Sequence, residues 1–434
     1  MLRDLSGARE TIFALASGAG RSAIAVLRIS GPASRDLIAH LCRAVPMPRR
    51  ASVRRLRDAG GAELDRAIVL WLPGPDSYTG EDSAELHLHG GTAVLEGVAA
   101  ALVALGARPA EAGEFTRRAF LNGRLDLLEA EAVADLVAAE SSAQREQALR
   151  QLRGELGLLY NGWAERLRRL MAHQEALIDF PDEELPPDVE ASLATGIADL
   201  AAEIGTHLAD GRRGERVREG LNLVVVGPPN VGKSSIINAL AGRDVAIVSE
   251  QPGTTRDALE ARVVLAGVPA TLVDTAGLRD AADPVEAEGV RRARARAERA
   301  DLSLAVEARD APRVHVAGRV LRIMNKIDLG GTVPDDAIGV SALTGAGMAR
   351  LRARLEEQAA ELTASAGPPP LTRHRHRAAL AEAETCLRAA LHAPLPELRA
   401  EDLRLALRAF GRVTGVVGVE EILDTLFSSF CIGK

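Results

Sequence analysis

The sequence predicts a multidomain α/β and α chain: an N-terminal α+β domain, a helical domain, and a P-loop α/β domain inserted into the helical one. Three observations predict it. The apolar run Leu221–Val226 is followed by Gly227-Pro228-Pro229-Asn230-Val231-Gly232-Lys233-Ser234 and then by a helical pattern over 235–240. Helical spacing of apolar residues takes over at Leu125 from a region of short β-like runs. That spacing returns after the stiff stretch Ala366-Gly367-Pro368-Pro369-Pro370.

In chain order, residues 1–118 mix β-like runs at 23–29 and 67–72 and an alternating run at 85–89 with Gly and Pro punctuation, a compact α+β pattern. Over 119–216, Leu125, Leu128, Ala132, Leu136 and Ala139 recur at helical spacing, and Leu149, Leu152, Leu156 and Leu159 continue it. The pattern runs to Ile178, Pro181 breaks it, and a further helix follows Pro187 to about Leu208. Residues 217–363 alternate β and α. In 364–434, Leu380, Leu387, Leu391, Leu403, Leu407 and Phe410 are helical again. The α/β domain is read as an insertion between two helical halves, since termini of compact domains often lie close together. The alternative is an independent C-terminal helical domain.

Composition sets the bounds. A length of 434 residues suggests roughly two to four domains. Apolar residues make up 47%, but aromatics only 3%, so Leu, Val and Ala must fill the cores. The net charge of −7 gives no global nucleic-acid footprint. The basic clusters at 49–57, 291–299 and 373–377 are read as solvated helix or loop faces. Cys42, Cys386 and Cys431 are too scattered for a disulfide framework or a zinc site, which fits a reducing cytoplasm. No secretory signal and no uninterrupted apolar run of about 18 residues is visible, so no membrane partner is expected.

The chemistry lies in four motifs. Gly227 to Ser234 read G-x-x-x-x-G-K-S, a loop whose backbone N–H groups cradle phosphates. Lys233 faces the β- and γ-phosphates, and the Ser234 hydroxyl suits Mg²⁺. Asp274-Thr275-Ala276-Gly277 ends the run 270–273, with Asp in reach of the metal shell and Gly277 offering an N–H to the γ-phosphate. Asn325-Lys326-Ile327-Asp328 ends Val320–Met324. The Asp328 carboxylate accepts from a guanine N1–H and exocyclic amine, a donor pair adenine lacks. Ser341-Ala342-Leu343 supports the base. Four motifs in this order point to GTP rather than ATP. Thr255, in Gly253-Thr254-Thr255-Arg256-Asp257, is placed to close over Mg²⁺ as a switch; an ordinary Gly-Thr turn is the plain alternative. Leu278 stands where many GTPases place a water-orienting Gln. Another group must then act, and Asp280, Asp283, Glu286 and Glu288 are near in sequence. The developing charge also needs an electropositive element, an Arg from a partner or a monovalent cation; Asn230 offers an oxygen to a cation.

Together these residues resemble one family, the MnmE/TrmE tRNA-modification GTPases. The resemblance spans nearly the whole chain. Beyond the GTPase motifs it rests on Leu27-Arg28-Ile29-Ser30-Gly31, Ser77-Tyr78-Thr79-Gly80-Glu81-Asp82 and Gly113-Glu114-Phe115-Thr116. It also rests on the run from Ala119 to Leu127 and the tail Phe430-Cys431-Ile432-Gly433-Lys434.

The resemblance implies a folate-binding-like N-terminal domain that also dimerises, and a Ras-like GTPase domain. Arg28, Glu81, Arg124 and Lys434 would contact 5-formyltetrahydrofolate or a related one-carbon donor, Arg and Lys at its glutamate carboxylates and Glu at the pterin's donor edge. Arg124 stands where the family often has Lys, which keeps the charge and alters the geometry. The implied GTP set is Asn230, Val231, Gly232, Lys233, Ser234 and Ser235, with Ser249, Gln251, Gly253, Thr254 and Thr255. Asp274, Thr275, Ala276, Gly277, Asn325, Lys326, Asp328, Ser341, Ala342 and Leu343 complete it. Mg²⁺ would take Ser234 and Thr255. K⁺ would take Asn230, Ser249, Gln251 and Thr254, with Ser249 in place of the more usual Thr. Glu286 matches the water-positioning catalytic Glu; the plain alternative is a cap for the helix after Pro284. A homodimer would join an FAD-dependent partner protein in a heterotetramer and install a carboxymethylaminomethyl-type group at C5 of a tRNA wobble uridine. Cys431 matches a family cysteine, either a nucleophile or a neighbour of the one-carbon centre.

Two other patterns are set aside. The tail Cys431-Ile432-Gly433-Lys434 has the outline of a prenylation box, but Gly and a final Lys do not suit it. His87 and His89 could form a metal pair, yet no third ligand is visible in the sequence. The competing function is an RNA-binding regulatory or ribosome-assembly GTPase; a third is a folate enzyme with a vestigial GTPase.

Overall fold

In a computed structural model of the chain, residues 10–179, 188–242, 260–274, 300–309, 315–364 and 368–415 are described, with positions 423, 426, 427, 430 and 433. Ser249, Gln251, Gly253, Thr254, Thr255, Thr275, Ala276, Gly277, Glu286, Cys431 and Lys434 lie outside these residues. The chain divides into two compact units, Met1–Ala134 with Leu152–Glu165 and Leu407–Lys434, and Asp135–Gln151 with Arg166–Ala406. This division is coarser than the three expected domains and cuts the chain at other places than 118, 216 and 363.

The first unit is built on a six-stranded sheet. Its elements are β1 (Ile12–Leu15), β2 (Ser22–Ser30), α1 (Ser34–Cys42), β3 (Ser52–Arg57), β4 (Glu63–Leu72), β5 (Ser83–Gly90), α2 (Thr92–Ala104) and β6 (Arg108–Pro109). The order is β3-β4-β5-β2-β1-β6, antiparallel except for the β1–β6 pair. Alternation decides the faces, because successive strand side chains point to opposite sides. Leu27, Ile29, Val69, Trp71, Ala84, Leu86 and Leu88 turn inward and pack against Leu37, Ile38 and Leu41 of α1 and Val98 and Leu102 of α2. The basic cluster at 49–57 is not a helix or loop face, as its charge suggested. Most of it is β3, an edge strand anchored by buried Leu56. Arginines on an edge strand discourage a further strand from pairing there.

After β6 come α3 (Glu114–Leu121) and α4 (Leu127–Ala138), then α5 (Ser142–Leu152) and α6 (Glu155–Asp179). The helical period beginning at Leu125 thus resolves into three helices. Gly154, at φ 79°, separates the last two. Leu127 and Ala130 of α4 form a cluster with Leu423, Leu426, Phe427 and Phe430.

The second unit contains α7 (Asp188–Leu208), α8 (Arg213–Glu219), β7 (Leu221–Val226), α9 (Lys233–Ala241), β8 (Glu260–Leu265), β9 (Val268–Asp274), β10 (Leu302–Glu307), β11 (Val320–Met324), β12 (Ala337–Gly339), α10 (Met348–Thr363), α11 (His374–His392) and most of α12 (Pro396–Thr414). Its sheet runs β12-β11-β10-β7-β9-β8, parallel except for the β8–β9 hairpin. Every residue of β10 is buried, as expected of a parallel strand covered on both faces. Leu223, Val225, Leu272, Leu304 and Ile323 meet Ile236 and Leu240 of α9 and Leu351 and Leu355 of α10 in the core. The register sets Val225 beside Asp274 and Val226 beside Ala305, so the carboxyl ends of β7, β9 and β10 share one edge of the sheet. Ligands of open α/β sheets bind at this edge, where strand order reverses.

The cluster at 373–377 is a second correction. Arg377 donates to Asp210 and Glu215, both at 2.7 Å, and to the Leu208 carbonyl at 2.6 Å. Arg373 bonds Asp135 at 2.8 Å, and His376 is fully buried. These are internal ion pairs, not a solvated face. They tie the start of α11 to the chain that leads through α8 into β7.

Candidate nucleotide site and N-terminal polar site

The loop after β7 takes a path that two glycines permit. A Cβ on Gly227 would lie 2.2 Å from the Val306 carbonyl oxygen, so only glycine lets the backbone leave the sheet beside β10. Gly232 has φ 96°, and a Cβ there would meet Asn325 Nδ2 at 2.2 Å. Asn230 is also left-handed, at φ 61°. Backbone turned this way presents N–H groups as an anion nest, and it runs directly into the N-terminus of α9. Lys233 is buried, and its ammonium donates to the Gly227 and Pro228 carbonyls at 2.9 and 3.0 Å. The cation is thus held on the loop itself.

Ser234 and Asp274 come from different elements, the first turn of α9 and the end of β9. Ser234 Oγ donates to Asp274 Oδ2 at 2.7 Å. A hydroxyl and a carboxylate oxygen converging at the mouth of a phosphate loop are the hard oxygen donors that suit Mg²⁺. Ser235 is exposed beside them on α9.

The base-side motifs are joined by Asn325, which is 4% exposed. Its Nδ2 donates to the Val231 carbonyl at 2.8 Å, and its Oδ1 accepts from the Ala342 N–H at 3.2 Å. Lys326 donates to the Asn230 carbonyl at 2.7 Å. Ser341 is fully buried; its N–H donates to the Ala346 carbonyl, and its hydroxyl accepts from the Thr344 N–H. Asp328 and Leu343 are exposed. The structure therefore brings the phosphate loop, the Asn325-Lys326 motif and the 341–343 turn together.

In the first unit, Arg28 and Glu85 are register partners on β2 and β5. Arg28 Nε and Nη2 donate to Glu85 Oε1 at 3.2 and 3.0 Å. Its guanidinium lies 5.4 Å from the ring centroid of Tyr78 and 5.8 Å from that of Phe115, within cation–π range. Burial pushes the Tyr78 phenol up, although its bond to Thr116 opposes the shift. Glu81 accepts from Ser30 Oγ at 2.8 Å and from Arg118 Nη1 at 3.1 and 3.3 Å. A Cβ on Gly80 would lie 3.2 Å from Arg124 Cγ, and the Arg124 side chain is half-exposed. The loop carrying Tyr78, Gly80 and Glu81 thus touches Arg28 and Arg124. Gly433 packs its backbone on β1, where a Cβ would lie 2.1 Å from the Leu15 carbonyl oxygen.

Comparison with known proteins follows the same two parts of the chain. The family model of the TrmE N-terminus, described as a GTP-binding protein, matches residues 11–124, and that of the MnmE helical domain matches 127–431. A tRNA modification GTPase MnmE of Gluconacetobacter diazotrophicus is 60% identical over 429 residues, covering 98% of each chain. The MnmE proteins of Granulibacter bethesdensis and Rhodospirillum rubrum are 59% and 52% identical, over 98% of this chain and 100% and 99% of theirs.

The chain belongs to the MnmE family.

Within this MnmE frame, the sequence missed two side chains that the structure places at the N-terminal site. Arg118, 4% exposed, joins Glu81 to Glu114, its i,i+4 neighbour on α3. Burial alone would raise the Glu114 carboxyl, but Arg108, the Glu111 N–H and Arg118 together hold it below its usual range. Ser30 is fully buried and bonds both Thr79 and Glu81. The Glu-x-x-x-Arg spacing was a legible signal for Arg118; nothing local marked Ser30. The set-aside histidine pair has other partners: His89 Nδ1 lies 2.7 Å from Asp65 Oδ1 on β4, and His87 lies 3.6 Å from Glu85.

Proposed function

We propose that the chain is a potassium-stimulated GTP hydrolase of tRNA modification. The observation that carries the GTPase and tRNA-modification part is similarity over 98% of its length to a relative named as a tRNA modification GTPase; the potassium part rests on the resemblance of Asn230 and its loop. The convergence of Lys233, Ser234 and Asp274 at one loop supports it. On this reading Lys233 and the loop N–H groups hold the phosphates, Asp328 reads guanine, and Ser234 and Thr255 ligate Mg²⁺. Asn230, Ser249, Gln251 and Thr254 hold K⁺, which supplies the positive charge an Arg finger supplies elsewhere. Glu286 positions water, a task Leu278 cannot perform.

We assign the N-terminal polar site to a tetrahydrofolate one-carbon donor held by Arg28, Glu81, Arg124 and Lys434. Support comes from the guanidinium of Arg28 lying over two aromatic rings and from the acceptor Glu81 on the adjoining loop. Homodimers would work with an FAD-dependent partner in the cytoplasm on C5 of a tRNA wobble uridine. The P-loop domain is then the motor, and the tRNA chemistry lies elsewhere.

The test is hydrolysis of GTP and ATP by the full chain in KCl and in NaCl, with tRNA modification followed in the presence of the partner. GTP is expected to be hydrolysed faster in K⁺. Glu286→Ala is expected to lower the stimulated rate while GTP affinity stays near wild type. A rate indifferent to K⁺ removes the cation assignment, and unmodified tRNA removes the assignment to tRNA chemistry.

A further inference from the structure

Glu81 sits within a largely buried polar array. Arg118 donates to Glu81, to the Glu10 carbonyl at 2.9 Å and to Glu114 Oε1 at 2.9 Å. Arg108 in turn grips Glu114 at 2.7 and 2.8 Å. On the other side of Glu81, Ser30, Thr79 and Ser83 form a hydroxyl cluster, with Ser30 and Thr79 at 2.7 Å and Thr79 and Ser83 at 3.2 Å. Burying so many charges is costly, and an apolar core of the same volume is often more stable. Such arrays serve best where they fix one functional side chain in one geometry.

Acceptor counting shows what is fixed. An ionised carboxylate offers about four acceptor positions. Ser30 fills one on Oε2. Arg118 Nη1 stands near both oxygens, at 3.1 Å from Oε2 and 3.3 Å from Oε1. Among the described residues no further donor reaches Oε1. One oxygen is therefore clamped from two sides, while the other keeps an acceptor position for a ligand. An acceptor so held suits a single exocyclic amine on a heterocycle edge, such as the 2-amino group of a 2-amino-4-oxo pyrimidine ring.

We infer that Arg118 and Ser30 are positioning residues that lock Glu81 so that its Oε1 reads the 2-amino edge of a pterin. This rests on the folate assignment above. Neither residue touches the ligand. Arg118 sets the carboxylate's position through charge, and Ser30 sets its rotation through a single hydroxyl.

The test compares binding of 5-formyltetrahydrofolate and its 2-desamino analogue to the full chain, for wild type, Arg118→Lys and Ser30→Ala. Wild type is expected to prefer the amino ligand by about 10- to 100-fold, the worth of one charge-assisted hydrogen bond. Both variants are expected to narrow that preference to within about threefold, losing affinity for the amino ligand and keeping it for the analogue. A purely structural role would lower both affinities together, and that result overturns the inference. So does a preference that survives in both variants. Equal binding of the two ligands by wild type also overturns it, while leaving the folate assignment standing. If wild type binds neither ligand, the folate assignment itself falls and takes this inference with it. Should Arg118→Lys fail to fold, Ser30→Ala, which removes one hydroxyl, decides alone.

Discussion

Asn325 Nδ2 donates to the Val231 carbonyl at 2.8 Å, so a side chain of the base-side motif closes a hydrogen bond inside the phosphate loop. The same amide accepts from the Ala342 N–H. One side chain thereby ties the loop after β7 to the 341–343 turn.

Replacing Asn325 with Ala is expected to leave a buried carbonyl and an N–H unsatisfied. Each orphaned group costs about 1–3 kcal/mol. GTP affinity should fall at least about tenfold, as read with a fluorescent GTP analogue, and urea unfolding should shift to a lower midpoint. A wild-type affinity would mean that the two loops are held by other contacts.

Asp328→Asn exchanges an acceptor for a donor at the position assigned to the guanine edge. Preference is expected to move from GTP toward XTP by about two orders of magnitude, in line with the rejection of ligands that leave buried polar groups unpaired. Competition binding with both nucleotides checks it. Unchanged selectivity would remove Asp328 from base reading.

Arg377 stands between Asp210 and Glu215, and Glu215 is 1% exposed. Removing one partner of a buried pair typically costs about 3–5 kcal/mol. Arg212 still bonds Glu215 at 2.6 Å, so Arg377→Ala should fall near the low end, about 3 kcal/mol. Chemical denaturation measures it. A loss below about 1 kcal/mol would class the cluster with exposed pairs.

His207 gives a pH dependence. Burial lowers its pKa from 6.5 to about 4; Asp210 opposes the shift, and Arg377 and His376 add to it. The folded state therefore prefers the neutral ring. Between pH 6.5 and 4 the unfolded chain binds a proton that the folded chain does not, so this contribution is full above pH 6.5 and is lost as pH falls. Linkage sets its size at up to about 3 kcal/mol. Stability measured across this window should fall with pH in wild type, and less steeply in His207→Gln. Equal slopes would show that other groups govern the acid limb.

Much of the nucleotide-binding part was legible in the sequence. Strands β7 and β11 have the bounds of the runs that predicted them, because each run is mostly apolar and is ended by the turn residues of a motif. The N-terminal sheet was legible where apolar runs mark β2 and β4 and where side chains alternate in β5. Strand β3 was hidden because arginines on an edge strand look like any solvated stretch. Arg373 and Arg377 were misread for a different reason. Their partners Glu215, Asp210 and Asp135 lie 162, 167 and 238 residues away in the chain, so nothing local announces the pairing. The bond from Ser30 to Glu81 was hidden likewise, since Glu81 is 51 residues distant.

The β8–β9 hairpin behaves like a toothed rack. Val263 faces Ala270 and Leu265 faces Val268, with both β8 residues buried. A slip of one residue would turn both toward solvent, because strand side chains alternate with a period of two. Glu260 faces Val273 in this register, so the start of β8 is geared to the end of β9 that carries Asp274. Movement of β8 relative to the core is thereby confined to a shift of the whole hairpin or a jump of two residues.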